Sequence, residues 1–188
     1  MIIAFHKPYG VLCQFTPDQP GQRTLSEFNF PKGVYPLGRL DMDSEGLLLL
    51  SDESGLNDRL LNPKNAHERT YLVQIEGVPS TESLEMFCNG SIVIQKHKCL
   101  PCRASLPDPQ PLIPPRDPPI RIRQSIPDVW IEVSLVEGKN RQVRRMTAAI
   151  GHPTLRLIRI AIGKLSLERQ EPGEWRVIEE SEKTLIGI

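Results

Sequence analysis

Residues 38–46 carry one arginine and three carboxylates in the order Gly-Arg-Leu-Asp-Met-Asp-Ser-Glu-Gly. Apolar runs flank this segment, so we expect a polar loop between two buried strands. An aspartate held at the ends of apolar strands, beside an arginine, can stay ionised in a partly dry site and act as a nucleophile or a base. Two alternatives stay open: a plain polar turn, and a calcium loop, although the alternating carboxylates lack the distal glutamate that a calcium loop needs.

Charge is segregated along the chain, although its formal net charge is zero. Residues 41–85 carry ten acids and three bases, whereas residues 139–164 carry seven bases and no acid. Five of those bases are arginines: Arg141, Arg144, Arg145, Arg156 and Arg159. Arginine forks on ordered elements suit phosphate groups, so this segment favours a nucleic acid or another polyanion as partner over a merely solvated face.

The basic segment also predicts a helix, which Asn140 caps and Gly151 ends. Its apolar face, at helical spacing, is expected to comprise Val143, Met146, Ala149 and Ile150. The arginines at positions 141, 144 and 145 follow an i, i+3, i+4 spacing and are expected to share a second face. Such a helix can supply a cation to the carboxylate of the acidic loop.

Neither the cysteines nor the histidines form a recognisable reactive site. Cys99-Leu-Pro-Cys102 has the spacing of a redox dithiol or of half a zinc site, but no second pair stands at zinc-ligand spacing and no helical pattern follows. We therefore interpret the pair as structural. No histidine stands in a nucleophile-elbow arrangement, and His152, between a helix-ending glycine and a proline, is expected in a turn.

Short strands and a few helices are expected around these motifs. The predicted strands are 2–5, 11–15, 34–37, 47–51, 70–77, 129–136 and 154–162, and the predicted helices are 54–61, 80–88 and the basic helix. A proline-glycine turn at Lys7–Gly10 predicts a hairpin between the first two strands. The pattern indicates an α+β fold, with a largely antiparallel, mixed β-sheet flanked by short helices.

A proline-rich stretch interrupts this pattern at residues 106–127. Eight of the eighteen prolines of the chain fall between Pro107 and Pro127. The stretch is too irregular for an element and too long for an ordinary connection. We expect either an arm that selects the target through Arg116, Arg121 and Arg123 or a flap that covers one side of the sheet.

Composition excludes several classes of protein. A chain of 188 residues, 39% hydrophobic and 24% charged, is a globular protein with a real core rather than a coiled coil, a collagen or a disordered chain. No apolar run approaches the roughly 20 residues of a membrane-spanning helix. The first residues do not read as a signal peptide, and four cysteines do not make a disulfide framework. We expect a cytoplasmic protein that does not bind membranes.

Five collinear motifs resemble those of RNA pseudouridine synthases of the RsuA-type branch. Residues 38–51 look like the catalytic motif and residues 137–146, Glu-Gly-Lys-Asn-Arg-Gln-Val-Arg-Arg-Met, like the third motif. The opening motif is matched by residues 6–10, the tyrosine segment by 68–73 and the pocket-closing strand by 157–163. The resemblance implies one catalytic domain over 1–188, with two lobes at an active-site cleft and no S4 domain. The proline-rich loop further resembles that of E-type synthases of bacterial 23S rRNA.

The resemblance implies isomerisation of a specific uridine to pseudouridine, with no cofactor and no metal. Asp41 would be the essential carboxylate, which attacks or deprotonates the sugar of a flipped-out nucleotide. Tyr71 would stack on the base, and Arg144 would pair with the aspartate. Leu157 would form a wall of the base pocket, and Arg39 would fill the space that the extruded nucleotide leaves.

Target binding is expected to depend on the basic helix together with the proline-rich loop. Lys139, Asn140, Arg141 and Arg145 would contact RNA, and phosphate contacts would offset the few kcal/mol that base flipping costs. The expected partner is rRNA, either free or in an assembling ribosomal particle, and the resemblance to E-type synthases implies 23S rRNA. The protein is expected to be a monomer.

Two other functions compete with this interpretation. The first is a catalytically silent rRNA-binding or ribosome-assembly factor that uses the same basic face. The second is an aspartate-dependent glycosidase, which normally needs two carboxylates at a defined separation. Only Asp41 stands in a matched motif, so the sequence favours the synthase.

Overall fold

A computed structural model describes residues 1–61, 67–120, 125–167 and 170–188. Within them the strands are β1 (Ile2–Lys7), β2 (Val11–Leu12), β3 (Arg23–Thr24), β4 (Tyr35–Leu37), β5 (Glu45–Ser51), β6 (Arg69–Glu76), β7 (Val93–Ile94), β8 (His97–Lys98), β9 (Arg103–Ser105), β10 (Asp128–Leu135), β11 (Thr154–Ile162), β12 (Leu165–Ser166) and β13 (Trp175–Val177). The α-helices are α1 (Leu56–Leu61), α2 (Thr81–Cys88), α3 (Gln142–Ala149) and α4 (Glu180–Lys183). No helix in these ranges is both long and apolar enough to cross a membrane.

Two compact units divide the chain. Unit 1 comprises residues 1–69 and 158–188, and unit 2 comprises residues 70–157. Strand β11 begins in unit 2 and ends in unit 1, so each unit takes part of its sheet from the same strand.

The sheet of unit 1 is built on β1 and β5. Strand β1 pairs antiparallel with β13 on one side and with β5 on the other. Strand β5 also pairs antiparallel with β4 and parallel with β11, which makes the sheet mixed. Every residue of β1 and β5 is buried. Strands covered on both faces have continuous apolar sequences rather than alternating ones, as Leu47–Leu50 shows.

The sheet of unit 2 contains β6, β10 and β9 in that order, with β10 and β9 antiparallel. Helices α2 and α3 pack on it, and Phe87 from α2 and Met146 from α3 are almost fully buried in one apolar cluster. Ile131 and Val133 of β10 belong to the same cluster. Burial of each large apolar side chain contributes about 1.5–3 kcal/mol to this core.

Most of the predicted elements are found, and the α+β fold with a largely antiparallel, mixed sheet is confirmed. The predicted hairpin after β1 is wrong. Strand β2 pairs in parallel with β3, and β1 takes β5 and β13 as neighbours instead. The glycine of the turn, Gly10, has φ 79° and donates its backbone N–H to Met42 O at 2.8 Å. Turn chemistry predicted a reversal of the chain, but all six residues of β1 pair with the seven-residue β5, which the two-residue β2 could not replace.

Helix α3 forms as predicted, but its first turn differs. Asn140 does not cap it: the N-cap is Arg141, with φ 51° and no side-chain capping bond. The Gln142 side chain instead holds the segment before the helix, because its Oε1 accepts the Lys139 N–H at 3.0 Å. Arg141 therefore lies outside the helix and does not share a helical face with the other arginines.

The apolar face of α3 also differs from the prediction at one position. Val143 and Met146 are buried as expected, whereas Ala149 is exposed. Thr147 is fully buried instead, and its hydroxyl bonds to that of Thr154 at 2.7 Å. A satisfied hydroxyl can occupy a core position that periodicity assigns to an apolar residue.

Candidate functional site

The acidic segment forms the loop between β4 and β5, as the sequence predicts. The two strands pair antiparallel with Leu37 opposite Leu49, so the loop leaves and re-enters the sheet at the same edge. Leu40 is buried and is fixed on both backbone groups: its N–H donates to Cys13 Sγ, and its carbonyl accepts from that thiol, both at 3.2 Å. Arg39, just before it, is exposed.

Asp41 is half-buried and opens a tight turn within this loop. Its carbonyl accepts the Ser44 N–H at 3.0 Å, and Ser44 is itself almost fully buried. Met42 O accepts the Gly10 N–H at 2.8 Å, which ties the tip of the turn to the segment after β1. The backbone of the turn is therefore held from two sides, and Asp41 is presented on a fixed support.

Lys7, to which the sequence analysis gave no role, lies beneath this turn. Its side chain has no exposed surface, and its Nζ donates to Val11 O at 2.7 Å, Pro8 O at 2.9 Å and Met42 O at 3.5 Å. Burial lowers the pKa of Lys7 to about 8, although nearby acidic groups, including Asp41, act to raise it. The sequence offered no signal for this role, because Lys7 stands after the predicted strand 2–5, at the start of the predicted turn. Its complete burial indicates a specific role, because lysine is almost never fully buried without one.

Gly46 fixes the point at which the loop returns to the sheet. It has φ 101°, and a Cβ there would lie 2.2 Å from Arg159 O on the parallel strand β11. Only glycine permits this approach of the two backbones. Arg159 is buried, and its Nε donates to Leu47 O at 2.7 Å.

In unit 2, the structure brings together several residues that the resemblance assigns to the base pocket. Leu157 is buried in the apolar cluster that also holds Val143 and Met146 of α3, and the half-buried Tyr71 packs against the same cluster. Arg144 lies on α3 and is half-buried. Asp41 and Arg39 belong to unit 1, whereas these residues belong to unit 2.

The basic residues before and within α3 form an exposed group. Lys139, Asn140 and Arg141 are exposed, and Arg145 is half-buried. The Arg145 guanidinium donates to Asn140 Oδ1 at 2.8 Å and to Gln95 Oε1. This arrangement orients a charged fork at the surface, in the geometry that phosphate recognition uses.

Glu137, which the sequence analysis also left without a role, supports this segment from below. Its carboxylate accepts hydrogen bonds from His97 Nε2, Leu100 N and Gln142 Nε2, each at 2.8 Å. Burial acts to raise the pKa of Glu137, but these hydrogen bonds outweigh it, so that the pKa lies below its usual value. Gln142 in turn accepts the Lys139 N–H, so the carboxylate shapes the loop that presents the basic residues.

Two of the five arginines that suggested a polyanion partner are buried. Arg156 donates to Pro114 O at 2.6 Å and stacks over Trp130, with its Cζ 5.9 Å from the ring centroid. Arg159 and Arg156 are only 5% and 6% exposed. The expectation that they add to a phosphate-binding surface is wrong, because strand β11 buries both side chains.

The described part of the proline-rich loop is fastened to the sheet of unit 2. The Gln110 side chain pairs with the backbone of Trp130, accepting from its N–H at 2.7 Å and donating to its carbonyl at 3.0 Å. Arg116 is half-buried and donates its Nε to Pro118 O at 2.8 Å. Arg121 and Arg123 lie outside the described residues. These contacts favour a flap over a free arm for the described residues.

The cysteine pair has the properties of structural thiols, with Cys99 buried and Cys102 half-buried. Burial raises the pKa of Cys99, and it raises the pKa of Cys102 to about 12, so both remain thiols near neutral pH. In a turn after α3, His152 Nδ1 donates a hydrogen bond to Glu76 O at 2.7 Å. Among the described residues, no group of three or more His, Cys, Asp or Glu side chains is placed to hold a metal ion.

Residues 1–149 match the family described as RNA pseudouridylate synthase. The chain belongs to this family. The match covers the Asp41 turn, Tyr71 and all of α3, and it confirms the identification that the five motifs predicted. Members of the RNA pseudouridylate synthase family are isomerases, so the expectation of an RNA pseudouridine synthase is confirmed.

Individual relatives agree with this assignment. A protein of Xanthomonas campestris pv. campestris named "Ribosomal large subunit pseudouridine synthase E" is 49% identical over 94% of this chain and 95% of its own length. A protein of the same name from Vibrio vulnificus is 46% identical over 94% of this chain and 74% of its own length. A solved structure described as a pseudouridylate synthase has a TM-score of 0.76 at 29% identity, and the alignment covers 98% of this chain and 73% of that one.

Proposed function

We propose that this synthase isomerises one specific uridine of large-subunit ribosomal RNA, the 23S rRNA, to pseudouridine. Support comes from the relatives of 49% and 46% identity, whose names specify the large ribosomal subunit. Their similarity extends over almost the whole of this chain, including the segments that carry the Asp41 turn and the basic residues around α3. In this proposal the protein works as a monomer in the cytoplasm, on free rRNA or on an assembling ribosomal particle.

The proposed reaction exchanges one glycosidic bond for another. The bond between ribose C1′ and uracil N1 breaks, the base rotates, and a bond between C1′ and C5 forms. The proton on C5 is lost and N1 gains one, so atoms and electrons balance without a further reactant. Asp41 either attacks C1′ or removes a proton from the sugar, and in both routes it must be ionised and held in one position. The bonds at Ser44 N and Met42 O are suited to hold its turn in that position.

The other site residues are assigned supporting roles. Tyr71 stacks on the flipped base and helps to remove the C5 proton, and Leu157 forms a wall of the pocket. Arg144 pairs with the carboxylate of Asp41 and keeps it ionised. Arg39, which is exposed on the catalytic loop, takes the place of the extruded nucleotide in the RNA stack.

Binding of the RNA backbone is assigned to the exposed residues around α3. Lys139, Arg141 and Arg145 contact phosphates, and Asn140 orients the Arg145 fork through the bond at 2.8 Å. Phosphate contacts of this kind are independent of sequence and offset the cost of unstacking a uridine. Selection of the target by Arg116, Arg121 and Arg123 stays a prediction, because the contacts of Gln110 with Trp130 favour a flap for the described part of the proline-rich loop.

The test is release of tritium from 23S rRNA that carries the label at uridine C5. Wild-type protein should release the label from one position, and Asp41→Asn should abolish release while RNA affinity stays within about twofold, because the amide keeps the shape of the side chain but not its reactivity. Asp58→Asn, an exposed aspartate on α1 of the same unit, is the matched control and should release label at the wild-type rate. Binding without release by the wild type would instead support the silent assembly factor.

A further inference from the structure

The short hairpin formed by β7 and β8 stands beside α3 in unit 2. Val93 pairs with Lys98 and Ile94 with His97, and the two residues at the tip, Gln95 and Lys96, have φ values of 47° and 67°. Ile94 is buried in the core cluster that also contains residues of α3. The hairpin is therefore packed on the helix that carries the basic residues.

Two side-chain contacts fix the hairpin to the basic segment. At the tip, Gln95 Oε1 accepts a hydrogen bond from the Arg145 guanidinium. On the inward face, His97 Nε2 lies 2.8 Å from Glu137 Oε1. Arg145 also donates to Asn140, so its guanidinium connects the tip of the hairpin to the loop before α3.

The charges on this surface have a single sign. Residues 93–98 and 138–145 together carry six bases and no acid. The adjacent acid, Glu137, has a side chain only 10% exposed and is bonded to three donors, so its charge is directed inward. Lys96 is exposed at the tip, next to the residue that contacts Arg145. A phosphate that approaches the Arg145 fork therefore meets no acidic side chain of these segments.

We infer that the tip of the β7–β8 hairpin is a further RNA-binding point, at which Lys96 contacts a backbone phosphate beside those held by Lys139, Arg141 and Arg145. This inference depends on the proposed RNA substrate and extends its binding surface beyond the family motifs. Gln95 acts as a positioning residue that docks the tip on Arg145. The ligand is the phosphodiester backbone, so recognition at this point is independent of base sequence.

The hairpin itself provides a matched control. Side chains alternate between the two faces of a strand. His97 faces Glu137, so Lys98, its neighbour on β8 and the cross-strand partner of Val93, lies on the opposite face and is exposed. Lys96 and Lys98 thus have the same charge on the same hairpin, but the inference gives a phosphate contact only to Lys96.

The experiment measures the affinity of wild type, Lys96→Gln, Lys98→Gln and Lys96→Arg for a 23S rRNA fragment across a range of salt concentrations. Loss of one phosphate contact should reduce the slope of log affinity against log salt by about 0.7–0.9. Lys96→Gln should show this reduction and bind about three- to tenfold more weakly at low salt. Lys98→Gln and Lys96→Arg should keep the wild-type slope.

The inference would be overturned if Lys96→Gln had the same salt slope as wild type. It would also be overturned if Lys98→Gln lost as much of the slope as Lys96→Gln. Tritium release by the wild type is measured on the same fragment. A wild type that isomerises uridine while Lys96→Gln keeps its slope refutes the hairpin contact alone. A wild type that binds with the predicted Lys96 dependence but releases no label refutes the proposed reaction alone.

Discussion

Lys7 combines a charge with complete burial directly beneath the Asp41 turn. Its three hydrogen bonds end on backbone carbonyls, one of which, Met42 O, belongs to the turn itself. Carbonyls offer no negative charge, so they compensate the cost of burying the ammonium only in part. That cost is the reason why the pKa falls to about 8, and it suggests that the lysine is kept for the position of the turn.

Replacing Lys7 with methionine should lower turnover more than RNA affinity. The Lys7→Met side chain fills a similar volume but leaves Met42 O without the ammonium donor, so the turn that carries Asp41 can shift. We expect turnover to fall about tenfold or more and RNA affinity to stay within about twofold. The control is Lys32→Met, an exposed lysine of the same unit, which should change neither quantity. Single-turnover rates and binding constants measure both.

The pH dependence of stability gives a second measurement on Lys7. The pKa of Lys7 is about 8 in the folded protein and 10.5 in the unfolded chain. Between these two pH values, the unfolded chain therefore binds more protons than the folded protein. The free energy of unfolding of the wild type should therefore rise with pH across this window relative to Lys7→Met, by at most about 1.4 kcal/mol per pH unit. Parallel curves for the two proteins would show that Lys7 titrates normally.

Arg144 and Arg145 are adjacent in sequence but differ in their expected roles. Residues one apart on an α-helix point about 100° from each other. Arg145 bonds to Gln95 and Asn140 at the surface, and the resemblance assigns Arg144 to the catalytic carboxylate. Arg144→Ala should reduce the single-turnover rate about a hundredfold or more. Arg145→Ala should weaken binding, most strongly at low salt, because a surface with one phosphate contact fewer depends less steeply on salt. Its single-turnover rate should stay near that of wild type at saturating enzyme. Equal rate losses would mean that these roles are assigned to the wrong side chains.

At the scale of elements, the end of the chain is fastened by one ion pair between β13 and α4. Arg176 donates two hydrogen bonds to Glu182, at 2.8 and 2.6 Å, and the Glu179 N–H adds a third at 2.7 Å. The Arg176 guanidinium and this backbone N–H lower the pKa of Glu182 to about 2. Because β13 pairs with β1, this contact supports an edge of the sheet of unit 1.

This ion pair should make stability depend on acid pH. The folded-state pKa is depressed, so its contribution is complete above the ordinary value of 4.5 and is lost as pH falls toward about 2. Glu182→Gln should lower the free energy of unfolding by about 1–2 kcal/mol at neutral pH. It should also make the free energy of unfolding fall less steeply between pH 4.5 and about pH 2. Glu180→Gln is the control: its side chain is 86% exposed and pairs with Lys183 at the surface, so its loss should change the free energy of unfolding by less than about 0.5 kcal/mol. Unfolding curves from pH 7 to pH 2 measure the difference.

The elements also show which parts of the fold local sequence can predict. Periodicity placed β11 with the bounds that are observed and α2 within one residue, because side-chain alternation and Ser80 as N-cap are local features. The pairing of strands could not be predicted in the same way, because the partners of β1 are β5 and β13, which are distant from it in sequence. Which strands meet depends on burial of both faces across the whole sheet, and a turn signal contains no information about that.

At the scale of the molecule, the bases of the basic segment 139–164 include both exposed and buried side chains. Lys139 and Arg141 are exposed, whereas Arg156 and Arg159 are buried and bonded to backbone carbonyls. Exposed bases can release counterions from RNA when they bind phosphates, and buried ones cannot. Net charge by segment therefore overestimates the number of phosphate contacts.

This division predicts opposite phenotypes for two sets of variants. The double change Lys139→Gln with Arg141→Gln should reduce the salt slope of rRNA binding by about 1–2 and leave the free energy of unfolding unchanged. Arg156→Met should keep the slope but lower the free energy of unfolding by about 1–3 kcal/mol, because Pro114 O loses its donor. Salt titrations and denaturant unfolding of both proteins measure the two effects. A reduced slope in Arg156→Met would show that this arginine reaches RNA.

The sequence by itself determined the family, the α+β class and the loop that carries Asp41, because motifs, alternation and turn residues are written in contiguous stretches of chain. Tertiary structure alone decided that Lys7 supports this turn, that Glu137 holds the loop before α3, and that Arg156 is buried. Each of these depends on partners that are distant in sequence, as Lys7 and Met42 are. Burial and hydrogen-bond partners are properties of the packed sheet, so a charged residue acquires its role only when its neighbours from other strands are known.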